Sequence, residues 1–245
     1  MEITEFTEDL ILNGKIKLCQ PKHGYRIAID PILLASIVEL KNEQTILDVG
    51  CGAGTISLIL KHMDNSQNIT SIDIDPTMTE LCKRNSKLNS LPLNIINEPI
   101  GINLLRNEFF DSVVTNPPFY NPENFRSSEK KFAANFETIS LKSWISFCLK
   151  RLKPNGNFYI IHLPERLGHI LESFGDLVGK IEISPIYSHQ KEPAKRIIVK
   201  CKKASKEPLK VLPGLISHED NNEYTDSLKS ILSGNFSETD WIKIR

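Results

Sequence analysis

Asn116-Pro117-Pro118-Phe119 is the stretch of this 245-residue chain whose residue types speak most directly to chemistry. It follows the short apolar segment Asp111-Ser-Val-Val-Thr115 and precedes a long polar run. An asparagine and two prolines at the carboxyl end of a strand make a stiff loop that presents hydrogen-bond acceptors beside an aromatic ring. Such a loop suits a planar amino group. The lone pair of an exocyclic purine amine is delocalised into the ring, so a transferase must bias the nitrogen toward a pyramidal geometry and hold it in line with an electrophile. Acceptors on both N–H bonds do this. The Asn116 side-chain oxygen and the Pro117 carbonyl are the candidates, since proline offers an acceptor but no N–H. Phe119 is placed to stack on the ring, a contact worth roughly 1–3 kcal/mol per base. Read alone, Asn-Pro-Pro serves equally well as turn punctuation.

A second motif weighs against that plain alternative. Thr45-Ile-Leu-Asp48-Val-Gly50-Cys-Gly52-Ala-Gly54 reads as a buried strand running into a glycine turn, and Thr55 to Met63 then carries apolar residues at helical spacing. Glycines there permit positive φ and let backbone approach a ligand closely at a helix N-terminus. A dinucleotide fingerprint needs glycine at the sixth position from Gly50, where this chain has Thr55. The pattern is instead Asp-x-Gly-x-Gly-x-Gly, which resembles the S-adenosylmethionine (SAM) loop of class I methyltransferases. That resemblance implies that Gly50, Gly52 and Gly54 pass under the amino-acid end of the cofactor, while Asp48 helps fix its amine and water shell.

A third motif follows at βαβ spacing. Ile69-Thr-Ser-Ile-Asp73-Ile-Asp75-Pro76 is an apolar strand ending in carboxylates, with proline where a helix would begin. An acid at the end of the second strand accepts hydrogen bonds from both ribose hydroxyls, a role expected of Asp73. Asp75 is a helix N-cap or a second candidate for that role. The third strand, near Leu93 to Asn97, is followed by Glu98-Pro99, whereas related methyltransferases carry an aspartate at about the position of Pro99. The cofactor's adenine-reading contact therefore departs from the usual pattern.

The elements that must position these residues follow from periodicity and punctuation. Apolar residues alternate on either side of Asn13-Gly14, a hairpin signal. Asp30-Pro31 is expected to cap a helix through Leu40. Strands at 45–49, 69–73, 93–97 and 111–115 then alternate with helices at 54–63 and 76–89. A helix from about 138 to 152 follows, then a Pro154-Asn155-Gly156 turn, a strand at 157–163 and a helix from Pro164. An antiparallel pair at about 180–186 and 195–201 closes the series. This order predicts an α/β, Rossmann-like class I methyltransferase fold: a mostly parallel twisted sheet with helices on both faces and an antiparallel edge pair. The expected organisation is an N-terminal hairpin and cofactor-covering segment over 1–29, a methyltransferase domain over 30–203 and a C-terminal extension over 204–245 packed on the same domain. In such a sheet, Gly50, Asp73 and Asn116 all follow strand ends and would line one crevice.

Composition is that of a single globular enzyme, 40% hydrophobic and 24% charged, with 30 basic and 30 acidic side chains. No run is long and apolar enough to span a membrane, and the first residues lack the basic start of a signal peptide. The five cysteines lack a Cys-x-x-Cys pair, so neither a disulfide framework nor a metal site is expected, and a reducing cytoplasm is. His162, in an apolar strand, reads as a core residue.

Gln20 to Leu34, the glycine loop, Asn116 to Phe119, Pro193-Ala-Lys-Arg196 and Glu207-Pro-Leu together resemble the bacterial tRNA adenine-N6 methyltransferases that modify a valine tRNA beside its anticodon. The resemblance runs through most of the chain. It implies that Tyr25, Arg26 and Asp30 cover the cofactor's far side, and that a monomer methylates an adenine of RNA, in a tRNA. Without the resemblance, Arg26 is a surface ion-pair partner and Asp30 a plain N-cap. Lys191, Lys195, Arg196, Lys200, Lys202, Lys203 and Lys206 form a candidate phosphate path or a lysine-protected strand edge. Arg126, Lys130 and Lys131, with aromatics at 120, 125, 132 and 136, are better placed to hold a flanking phosphate. Two rival functions remain at this level. One is the same fold acting on a protein glutamine amide or on guanine N2 of ribosomal RNA; glutamine enzymes usually carry an N-terminal helical domain, for which little room is expected here. The other is a non-catalytic RNA-binding module with a vestigial SAM fold.

Overall fold

The computed structural model describes residues 6–22, 28–101, 103–119 and 139–236. Two strands, β1 (Phe6–Ile11) and β2 (Ile16–Pro21), form the expected antiparallel hairpin. Leu12, Asn13 and Gly14 all take positive φ at its turn, where Gly14 N donates to Ile11 O at 3.1 Å.

Next come α1 (Asp30–Ser36), β3 (Thr45–Val49), α2 (Thr55–Met63), β4 (Asn68–Asp73), α3 (Pro76–Leu88), β5 (Asn94–Asn97) and β6 (Phe110–Thr115). After the Asn-Pro-Pro-Phe loop follow α4 (Leu141–Arg151), β7 (Leu152–His162), a 3₁₀ turn at Pro164–Arg166, α5 (Leu167–Phe174), β8 (Val178–Tyr187), β9 (Ala194–Lys203), the short β10 (Lys210–Val211) and β11 (Leu215–Ile216), and α6 (Asp226–Leu232).

The main sheet runs β10-β8-β9-β7-β6-β3-β4-β5, with β11 also on β8. Strands β5, β4, β3, β6 and β7 are parallel, and β9 is antiparallel to both β7 and β8. The chain steps outward from β3 through β4 to β5 and then returns to β6 on the other side of β3. That reversal is the switch point beside which α/β sheets bind ligands.

Both faces are covered. One carries Leu33 and Leu34 of α1, Leu58 and Ile59 of α2, Leu228 and Ile231 of α6, and the hairpin residues Ile16 and Leu18. The other carries Ile145 and Cys148 of α4 with Ile170 and Phe174 of α5. Burying each large aliphatic side chain contributes roughly 1.5–3 kcal/mol, so an Ile- and Val-rich strand is stable only between two such layers.

Three local expectations are corrected. Helix α1 ends at Ser36 rather than Leu40, because Ser36 Oγ bonds Leu33 O at 2.8 Å while Ile37 and Val38 donate three residues back and tighten the last turn. Asp30 is not its N-cap: that position is Ile29, and Asp30 is the first residue of the helix. Pro154-Asn155-Gly156 is a bulge inside β7 and not a turn before it. Register passes from Phe110 opposite Leu152 to Ser112 opposite Asn157, and a Cβ on Gly156 would lie 2.8 Å from Asp111 O.

Candidate active site

Register brings the three motifs together. Ile72 of β4 pairs with Val49 of β3, Val49 with Thr115 of β6, and Thr115 with Ile160 of β7. The residues one step further along, Asp73, Gly50 and Asn116, therefore share one rim of the sheet at its switch point.

Gly50, Gly52 and Gly54 all have positive φ, but they are glycine for different reasons. A Cβ on Gly50 would stand 2.9 Å from the Trp144 ring, and one on Gly54 would stand 2.5 Å from Cys82 Sγ. Among the described residues, a Cβ on Gly52 would meet nothing within 4 Å. The outer two glycines thus let protein pack against the turn, whereas Gly52 has no such neighbour among the described residues. Trp144 is held in place by donating from Nε1 to Thr115 Oγ1 at 2.9 Å, and Thr115 Oγ1 donates onward to Val49 O at 2.7 Å. The turn is braced from behind by Asn85 of α3. Its Nδ2 reaches Ala53 O at 2.9 Å and Cys19 O at 3.0 Å, and its Oδ1 accepts from Cys19 N at 2.7 Å. One buried amide joins the hairpin, α3 and the glycine loop, and nothing in the local sequence pattern announces it.

The two acids differ in kind. Asp73 Oδ2 accepts from Gly52 N at 2.8 Å and Oδ1 accepts from Asp75 N at 2.9 Å, leaving further lone pairs toward the crevice. Burial pushes its carboxyl above the ordinary range, and the backbone bonds from Asp75 and Gly52 oppose this. Asp75 caps α3 by accepting from Thr77 N at 2.8 Å. Asp48 is wholly buried beneath the turn. Its Oδ2 accepts from Ser57 Oγ at 2.7 Å, while Oδ1 has no hydrogen-bond partner among the described residues. Burial first, with the charge of Asp73 adding and the Ser57 bonds opposing, raises its pKa from 3.8 to about 7.

At the end of β6, Asn116 Oδ1 is buried with no hydrogen-bond partner among the described residues, and Pro117 is buried beside it. A half-turn about the last torsion of the Asn116 side chain would exchange its oxygen with its NH2 group. Phe119 is half-buried against two side chains. Its ring centroid lies 5.0 Å from that of His162, and the Arg196 guanidinium lies over the ring at 4.9 Å. Arg196 Nε in turn donates to Asp30 Oδ2 at 2.8 Å. Asp30 and Arg196 were expected in separate roles, as cofactor cover and as surface base, and the fold pairs them. His162 is a core residue as expected, but it also supports Phe119. Burial, with the charge of Arg166 next, lowers its pKa to about 4, and its Nδ1 accepts from Leu163 N at 2.8 Å. The ring is therefore neutral.

The basic series on the last hairpin does not form one surface patch. Lys200 is buried and pairs with Glu39 at 2.8 Å and Glu182 at 3.1 Å, and Lys203 Nζ caps the carbonyls of Leu149 and Leu152. Lys195 pairs with Glu192 at 3.2 Å. Tyr25, Arg26, and the basic and aromatic residues expected in 120–138 lie outside the described residues. Among the described residues, no helix is long and apolar enough to cross a membrane.

The residues present fit SAM on their geometry: a glycine with free space beside it among the described residues, just before a helix N-terminus, a carboxylate one strand over that bonds the same turn, and an orphaned buried oxygen on Asp48 beneath it. Known proteins agree. Residues 28–169 match the methyltransferase small domain family. A protein of Shewanella sediminis named tRNA1(Val) (adenine(37)-N6)-methyltransferase is 23% identical over 229 residues, covering 86% of this chain and 92% of its own. A protein of the same name from Haemophilus influenzae is 24% identical, covering 82% and 87%. The fold resembles a predicted O-methyltransferase of Agrobacterium tumefaciens, with a TM-score of 0.70 and 22% identity over 84% of this chain and 96% of that one. It also resembles the 16S rRNA N2 G1207 methyltransferase of Thermus thermophilus, solved with AdoMet and guanosine, with a TM-score of 0.56 and 18% identity over 81% of this chain and 50% of that one. Sheet order, glycine turn and family match lead to one conclusion: the chain belongs to the methyltransferase small domain family, and SAM is its methyl donor.

Proposed function

We propose that the protein methylates the N6 amine of an adenine in RNA, in a tRNA beside the anticodon. The observation that carries this reading is the buried, unpartnered Asn116 Oδ1 at the switch point, followed by the Pro117 carbonyl and a braced aromatic ring. The names carried by the Shewanella and Haemophilus relatives support the choice of acceptor.

In this reading Asp73 accepts from the ribose hydroxyls, the Gly50–Gly54 turn lies under the amino-acid end, and Asp48 acts on the cofactor from below. Asp30, tied to Arg196, borders the cofactor's far side, and the resemblance gives Tyr25 and Arg26 the same covering role. Bound SAM supplies an electrophilic methyl group. Asn116 and Pro117 accept the two N–H bonds of the incoming amine and turn its lone pair toward that methyl, while Phe119 stacks on the unstacked base. The N–C bond forms as the S–C bond breaks, and the N6 proton leaves for water. No strong base is needed beforehand, since the nitrogen becomes acidic only as it gains the methyl.

The test is transfer from labelled SAM into an extract of cells lacking the enzyme, with tRNA, ribosomal RNA and protein then separated for nucleoside and amino-acid analysis. Label in N6-methyladenosine supports the reading. Label in N2-methylguanosine, or in a protein glutamine, replaces it.

A further inference from the structure

Phe119 sits in irregular chain immediately after two prolines, so no helix or strand ladder fixes its ring. What fixes it is tertiary. Ile197 of β9 stands opposite His162 of β7, which brings the next residue, Arg196, to the sheet rim where the Asn-Pro-Pro-Phe loop emerges. The guanidinium is itself held at two points, Nε on Asp30 at 2.8 Å and Nη1 on Lys195 O at 2.9 Å. A planar cation fixed twice covers one face of a ring firmly. Asp30 is buried at the start of α1, so removing Arg196 would also strand a carboxylate. His162 meets the ring at a tilt of 53° and carries no charge to compete with Arg196.

We propose that Arg196 is a positioning residue for acceptor recognition: anchored by Asp30, it backs the Phe119 ring and holds that ring in the orientation that receives the target base. This assignment deepens the adenine reading and rests on it for the identity of the base. Arg196 is thereby assigned to the ring and not to the phosphate backbone, although it belongs to a basic hairpin.

The test is a double-mutant cycle on the full chain with a tRNA acceptor, with SAM affinity and melting temperature measured alongside. Arg196→Met should raise the KM for tRNA about tenfold and leave kcat within about threefold, because stacking aids acceptor binding. Arg196→Lys, which keeps a cation over the ring, should recover part of the loss. In a Phe119→Ala background, Arg196→Met should change KM by less than about twofold, since the ring it supports is gone. An equal KM effect in both backgrounds would overturn the proposal in favour of a direct phosphate contact, and an unchanged KM in the parent background would overturn it outright. A second arm needs no acceptor: Phe119→Trp emission should shift and its anisotropy fall when Arg196→Met is added. If the parent methylates no RNA adenine, the adenine reading fails, and this arm alone decides the positioning role; identical emission and anisotropy with and without Arg196 would overturn it.

Discussion

Gly52 N donates to Asp73 Oδ2 across 2.8 Å, so the glycine turn after β3 and the carboxylate after β4 are one hydrogen-bonded unit. The bond orients the carboxylate, and among the described residues beyond its chain neighbours nothing lies within 4 Å of a Cβ placed on Gly52.

The glycines should accordingly separate by phenotype. Gly52→Ala adds a methyl to open space at a φ of +54°, so it should cost about 1–2 kcal/mol of stability and weaken SAM binding at least about thirtyfold by occupying the crevice. Gly54→Ala drives a Cβ into Cys82 and should damage folding more than Gly52→Ala does. Calorimetry with chemical denaturation reads both. Full SAM affinity in a folded Gly52→Ala protein would remove the turn from the cofactor site.

Asp73→Asn keeps an acceptor for Gly52 N but loses the charge offered to the ribose diol. Hydrogen bonds to charged groups are worth about 1.5–3 kcal/mol, so SAM affinity should fall roughly ten- to a hundredfold. A fall below twofold in the folded variant would contradict the ribose assignment.

Asp48 gives a pH dependence of definite sign. Its carboxyl is raised from 3.8 to about 7, so the native state keeps a proton that the unfolded chain has released. The stabilisation is complete below the unfolded value and is lost as pH rises through the folded one, by on the order of 4 kcal/mol in all. Asp48→Asn retains an acceptor for Ser57 and lacks the titration. Urea unfolding from pH 4.5 to 8 should show the variant gaining on the parent as pH rises, and parallel curves would contradict this.

Lys200→Met tests the structural reading of the last hairpin. Removing the buried cation leaves Glu39 and Glu182 facing each other, and breaking a buried pair costs about 3 kcal/mol. Melting temperature should drop while tRNA affinity of the folded protein stays within about twofold. A tRNA affinity loss with unchanged melting would return Lys200 to the RNA surface.

Much of this site was readable in one dimension. Glycine turns, strand-end acids and Asn-Pro-Pro are local devices whose chemistry is written within a few residues, and alternating strands and helices place them on one rim. Asp75 as an N-cap was legible for the same reason. What stayed hidden is long-range pairing. Arg196 and Lys200 look alike in a basic hairpin, and only register reveals that one covers Phe119 while the other lies buried between two glutamates. Asn85 was invisible because a lone asparagine in a helix carries no periodic signal. Asp30 looked like a cap because acid-proline pairs often are, yet its partner stands 166 residues away.

The most direct test of the central claim is single-turnover methylation by Asn116→Ala, compared with the parent on tRNA carrying adenine or inosine at the target position. The variant should bind SAM within about twofold of the parent but transfer methyl at least about a hundredfold more slowly, because the lost oxygen acts on the acceptor amine and not on the cofactor. Inosine, which lacks the amine, should abolish transfer by the parent. Full activity of Asn116→Ala on adenine-containing tRNA, or undiminished transfer to the inosine form, would contradict an acceptor role for Asn116 at an adenine amine.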